Sequence, residues 1–104
     1  MTGIHFVYTL ITVKFEWDER KCRINIKKHG IDFLDAPEIF QGPMLVNLDA
    51  KNDYGEDRYI GIGFLRNKAV VVVFTEPYPE ITRIISLRKA TKDEEERFKE
   101  AISE

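Results

Sequence analysis

The sequence predicts a small α+β domain, a single antiparallel β-sheet with two helices ahead of its main strands and one helix after them. Three observations carry that prediction. In the second half of the chain, β-branched and alternating runs follow one another through links too short for a crossover helix, so successive strands must reverse direction. Two stretches with helical spacing and clear start signals come before them, and a third closes the chain. With 104 residues, 43% of them hydrophobic, there is material for one core between a sheet and a few helices and no more.

Each element has its own justification. Lys14 to Trp17 alternates, with Phe15 and Trp17 on one face of a short strand and Glu16 on the other. Asp18 stands where an N-cap belongs, and the run to His29 is a helix ended by Gly30 as a C′ residue. Cys22, Ile26 and His29 mark its expected buried stripe, while Arg20, Arg23 and Lys27 line a basic face. A shorter helix opens at Asp32 or Asp35. Asp35 to Glu38 is the better capping box, because Pro37 then falls in the first turn where its missing N–H costs nothing. Phe33, Ile39 and Phe40 are its core contacts.

Gln41-Gly42-Pro43 breaks the chain before a strand from Met44 to Leu48, and Asp49 to Asp57 is a polar loop. Arg58 to Phe64 is the next strand, Arg66-Asn67-Lys68 its tight turn, and the valine-rich Ala69 to Thr75 the central strand. Pro77 and Pro79 mark a turn before the last strand, Ile81 to Lys89. Thr91 to Glu94 is a capping box opening a terminal helix with Phe98 and Ile102 as apolar contacts. The order is β-α-α-β-β-β-β-α. Residues 1–13 stand apart from the single domain of 14–104, as an extra edge strand or as an extension. They lack a basic leader and a cleavage site and are far too short to span a bilayer.

Composition narrows the chemistry. A net charge of -2 supplies no overall pull towards nucleic acid, but the signs are separated. Arg20, Lys21, Arg23, Lys27 and Lys28 crowd the first helix; Asp93, Glu94, Glu95, Glu96, Glu100 and Glu104 crowd the last segment. The lone Cys22 excludes an intramolecular disulfide and fits a reducing, cytoplasmic setting. Without a Gly-rich phosphate loop, a Cys-x-x-Cys or a His-x-x-x-His pair, the chain has no motif for a nucleotide, metal or other cofactor. Gly61 and Gly63 lie inside a strand and mark a bulge or a close backbone approach.

What remains is a set of cationic groups and two histidines. Cleaving RNA through its 2′-hydroxyl needs a base for that hydroxyl, positive charge around the phosphate, and a proton for the leaving 5′-oxygen. His29 suits proton transfer near neutral pH, and equally suits a helix C-terminus; His5 is read as without a role. Arg83 and Arg88 lie an odd number of residues apart, on opposite sheet faces unless a bulge intervenes. Arg58, beside Glu56, is a salt-bridge partner or a phosphate contact. Arg20, Lys27 and Lys28 are solvated charge or contacts to an acidic or phosphate-bearing partner. Tyr54, Tyr59 and Tyr78 could stack on bases, though aromatics in a small sheet more often pack.

Two separated blocks resemble the BrnT toxins. The first is Phe15-Glu16-Trp17-Asp18 followed by Lys21, Asn25 and Lys28-His29-Gly30-Ile31-Asp32-Phe33, leading into Leu34 to Phe40; the second is Gly55 to Arg58, Gly61, Gly63, and Arg83 to Thr91. The resemblance runs from about Lys14 to Phe98. It implies a RelE-like fold and a type II toxin acting as a metal-independent ribonuclease that depresses translation. A BrnA-like antitoxin with a ribbon-helix-helix domain would neutralise it, with DNA reached only through that antitoxin. A homodimer or a toxin–antitoxin heterotetramer is the assembly implied.

Family-type positions kept here are Lys28, His29, Glu56, Arg58, Arg83 and Arg88. On this reading His29 or Glu56 is the base, Arg58, Arg83 and Arg88 clamp the phosphate, and Arg20, Lys27 and Lys28 hold the RNA. The alternative is a non-catalytic module that binds an antitoxin-like partner and serves operon autoregulation. Cationic side chains converging in one exposed cleft would favour the enzyme; scattered ones would favour the module.

Overall fold

A computed structural model describes residues 13–49 and 55–103 in full and residues 4–8 as backbone; Tyr54 and the rest of the expected 49–57 loop up to it lie outside the described residues, save Asp49. The elements are β1 (Ile4–Tyr8), β2 (Lys14–Asp18), α1 (Glu19–His29), a 3-10 turn (Phe33–Asp35), α2 (Ala36–Gln41), β3 (Met44–Asp49), β4 (Arg58–Leu65), β5 (Lys68–Tyr78), β6 (Ile81–Lys89) and α3 (Lys92–Ile102). From β2 onwards the order is the expected β-α-α-β-β-β-β-α.

One six-stranded sheet runs β1-β2-β6-β5-β4-β3. β3 to β6 form the expected antiparallel meander. Arg66 and Asn67 make its β4–β5 turn with φ of 49° and 66°, the paired positive values that match a two-residue hairpin loop to strand twist. β2 departs from the antiparallel expectation: it joins β6 in parallel, Lys14 beside Ile81 and Glu16 beside Arg83. Helices and three strands separate β2 from β6 in sequence, so no hairpin obliges them to reverse. β1 pairs antiparallel with β2, from Ile4 beside Asp18 to Tyr8 beside Lys14.

Helix α1 starts as read, with Asp18 Oδ1 accepting from the N–H groups of Arg20 at 2.8 Å and Lys21 at 3.3 Å. It ends as read on Gly30, φ 73°, whose N–H donates to the Ile26 carbonyl. Its buried stripe differs. Cys22 and Asn25 are buried, whereas Ile26 is 40% exposed and His29 half-buried. The cause is β6. β2 accompanies β6 only as far as Arg83, and beyond that the strand edge needs other partners. Asn25 supplies them: its Nδ2 donates to the carbonyls of Leu87 at 2.9 Å and Ile31 at 3.0 Å, and its Oδ1 accepts from the Leu87 N–H at 3.1 Å.

The expected capping box at Asp35 does not form; Asp35 makes no side-chain cap bond. Both carboxylates turn to the β4–β5 turn instead, Asp35 taking Arg66 Nη2 at 2.9 Å and Glu38 the Arg66 N–H at 2.6 Å. Asp32 caps the preceding turn through the Leu34 N–H. At α3 the capping box is complete in both directions, although Ile102, read as a core contact, is 38% exposed.

Two cores sandwich the sheet. On one face Phe15, Trp17, Phe33, Ile39, Val72, Phe74, Ile84 and Leu87 pack with α1 and α2. Phe40 lies edge-on between Phe15 and Phe74, with centroids 5.2 and 5.0 Å away. On the other face Phe98 of α3 seals Ile62, Ala69 and Val71.

Candidate functional site

An irregularity in β6 brings two of the arginines singled out in the sequence onto the α3 face of the sheet. Val73 pairs with Ser86 and Phe74 with Ile84, so Ile85 is an extra residue in β6. Alternation restarts across it. Arg83, beside Thr75, and Arg88, beside Val71, therefore share a face despite their odd separation.

A row of polar residues crosses this face. Arg83 lies beside Glu16 on one side and Thr75 on the other. Arg58, one step beyond the Tyr59–Phe74 pair, is next along, and Asp49 lies beside Arg58. Within the row Glu16 and Thr75 are buried, and the Arg83 side chain is 35% exposed.

Arg83 donates through Nε to Glu16 Oε2 at 2.5 Å; the Glu16 side chain is 6% exposed and that of Arg83 35%. Among the described residues this is the one hydrogen bond of the Arg83 guanidinium, so both terminal nitrogens have donors to offer. Arg88 differs. Its Nη1 and Nη2 meet Glu94 Oε1 and Oε2 at 2.8 and 2.9 Å, a bidentate pair tying α3 to β6. That fork holds the Glu94 carboxyl down at about 2.

Along the free edge of β6, α1 leaves a groove of about 200 Å³ lined by Lys21, Ile24, Asn25, Lys28, His29, Ile85 and Ser86. Lys28 and His29 thus meet at β6 between Arg83 and Arg88 in sequence. Arg20 and Lys27 are exposed and do not line the groove. Glu56 stands elsewhere, in a second hollow at the β4–β5 end, with Asp57, Tyr59, Thr75, Glu76 and Pro77. Tyr78 is exposed at the end of β5. His5 falls on β1, described as backbone alone.

Among the described residues no three His, Cys, Asp or Glu side chains are grouped to hold a metal ion. Burial pushes the Cys22 thiol up to about 11, and it points at Asp32 Oδ1 at 3.4 Å, so it stays protonated and unreactive. Sequence reasoning passed over Glu16, Asn25, Thr75 and Ser86 as site components. A carboxylate between two buried aromatics was the signal available for Glu16. Thr75 and Ser86 gave none, because their place depends on register.

This arrangement can be set beside known proteins. The family model described as ribonuclease toxin, BrnT, of type II toxin-antitoxin system matches residues 17–94. The chain belongs to the BrnT ribonuclease toxin family. Among solved structures it is similar to the Brucella abortus ribonuclease toxin BrnT, with a TM-score of 0.58 and 32% identity over 73% of this chain and 94% of that one. No curated protein matched. For this BrnT family member the toxin role and the RelE-like element order expected from the sequence both stand. No helix among the described residues is long and apolar enough to cross a membrane.

Proposed function

We propose that the chain is a metal-independent ribonuclease toxin whose RNA lies over the row containing Arg58 and Arg83, with the α1–β6 groove beside it. The observation that carries this reading is Arg83. Its guanidinium is fixed at one end by buried Glu16, and its side chain is 35% exposed with both terminal nitrogens left to offer. A fork held at its base is the preorganised donor that a phosphate gaining charge requires.

In the reaction the 2′-oxygen attacks phosphorus as its proton passes to a base, the P–O5′ bond breaks, and O5′ takes up a proton. His29 is the base of choice over Glu56. It stands with Lys21 and Lys28 in a cationic groove, whereas Glu56 stands with two other carboxylates that would repel phosphate. Arg58 supports Arg83 at the phosphate, Lys27, Lys28 and Arg20 on α1 offer outer contacts to the strand, and Arg88 braces α3. Metal and organic cofactors have no part in this scheme. A BrnA-like ribbon-helix-helix antitoxin is the neutralising partner, in keeping with the two-component system the family is named for.

The test is cleavage of a generic RNA in EDTA. Arg83→Ala alone would strand the Glu16 carboxylate in the sheet at a cost of about 3–5 kcal/mol, so the informative variants are Arg83→Lys and the pair Glu16→Gln with Arg83→Gln. Both should fold by circular dichroism and lose about 100-fold or more in cleavage. Undiminished cleavage by the folded double variant would remove Arg83 from the site. If the wild type cuts only in a translating extract, the enzyme acts on ribosome-bound message.

A further inference from the structure

The acidic hollow at the β4–β5 end has no task in RNA cleavage. Regular pairing of β4 with β5 stops at Tyr59 and Phe74. On its other side β5 passes Glu76 and Pro77 against the single residue Thr82 of β6, a second bulge that turns the strand. Proline suits such a place because no ladder hydrogen bond is asked of it. The space left is about 150 Å³, lined by Glu56, Asp57, Tyr59, Thr75, Glu76 and Pro77.

Three of the six lining residues are carboxylates, and the nearest cations, Arg58 and Arg83, stand beside Thr75 in the polar row without lining the hollow. Such a hollow repels phosphate and attracts a cation. At its inner wall Thr75 is 1% exposed, and among the described residues its Oγ1 has no hydrogen-bond partner. A buried hydroxyl left unmatched destabilises the fold that keeps it, unless something that binds there satisfies it. The carboxylates are not grouped as a metal cage, which leaves an organic cation. A guanidinium fits best: its five donors spread in one plane towards several acceptors, and its flat face can lie on the half-exposed Tyr59 ring.

We propose that this hollow is a socket for an arginine side chain of a protein partner. Resting on the antitoxin reading above, we take that partner to be the neutralising protein. Thr75 stands between Arg58 and Arg83 in the polar row, so a segment anchored here lies across the face assigned to RNA.

The test is an amide-resolved NMR titration of the whole chain with Nα-acetyl-arginine methylamide, beside its neutral citrulline counterpart, magnesium chloride and guanosine monophosphate. Arginine should shift residues 56–59 and 75–76 saturably while citrulline leaves them in place. Asp57→Asn with Glu76→Gln should abolish the effect. Thr75→Val should melt higher, having lost an unmatched hydroxyl, yet bind arginine about 5-fold more weakly.

Any of four results overturns the socket: citrulline shifting the same residues equally, magnesium or the nucleotide binding there in place of arginine, no arginine shifts at all, or Thr75→Val binding arginine like the wild type. RNA cleavage by the same preparation is scored separately, so failure of the socket and failure of the ribonuclease reading are told apart.

Discussion

At Asn25 one carboxamide meets three backbone groups, the N–H and C=O of Leu87 and the C=O of Ile31. An amide presents a donor and an acceptor much as a peptide group does, so Asn25 takes the place of a neighbouring strand where β2 has ended. Replacing it with alanine leaves buried backbone groups unmatched, and Asn25→Ala should cost about 3 kcal/mol in urea unfolding. Asn25→Asp should cost more, because a carboxylate would face two carbonyl oxygens with no donor to give. Little of this was legible in the sequence. Helical spacing ranks an asparagine among solvent-facing residues and an isoleucine as buried, and the edge that reverses this for Asn25 and Ile26 lies 62 residues further along. Caps are the opposite case. Asp18, Gly30 and the box from Thr91 to Glu94 depend only on near neighbours, and all stand where local chemistry puts them.

Between elements, both α2 and β3 come close to β4 at its two glycines. A methyl group at Gly63 would lie 2.7 Å from Ile39 Cγ2, on a fully buried side chain; one at Gly61 would meet the free end of Met44 at 2.7 Å. Gly63→Ala should therefore cost about 2 kcal/mol by thermal or urea unfolding, and Gly61→Ala less than about 1 kcal/mol, since the methionine tip can swing aside. The glycine pair was readable as a close approach, and β4 carries no bulge there. What could not be read was the rivalry for the carboxylates of Asp35 and Glu38. A capping box competes on local terms, whereas Arg66 reaches them from a turn about 30 residues away once the sheet has formed. The same holds for Arg83 and Arg88. Counting residues sets them on opposite faces, and only the pairing of β6 with β5 reveals the extra residue between them.

Over the whole molecule, acid should act through the tie between α3 and the sheet. Arg88 hydrogen bonds hold the Glu94 carboxyl at about 2 in the folded chain against an ordinary 4.5. A depressed carboxyl stabilises the fold above its unfolded value and loses that contribution as pH falls through the folded one. Glu94→Gln should thus be less stable than the wild type at pH 7 and draw level between about pH 4.5 and 2. Because the Arg88 side chain is 39% exposed, solvent screening limits the difference to about 1 kcal/mol, measurable by urea unfolding across that range. The separation of charge seen in composition also takes shape here: cationic α1 borders β6 along one edge, and the acidic helix begins where that strand ends. The extra residue in β6 bears on how such a chain can change. A strand with strict alternation tolerates no shift, since losing one position turns every later side chain over. With Ile85 as the slipped link, the segments before and after it keep separate phase. Deleting that link would place Ser86 directly after Ile84 and restore plain alternation, with Thr82, Ile84 and Leu87 still on the α1–α2 side and Arg83, Ser86 and Arg88 still on the other. At this bulge β6 can therefore shorten by one residue while its packing and its arginines keep their faces, whereas a loss at any paired position would turn the rest of the strand over.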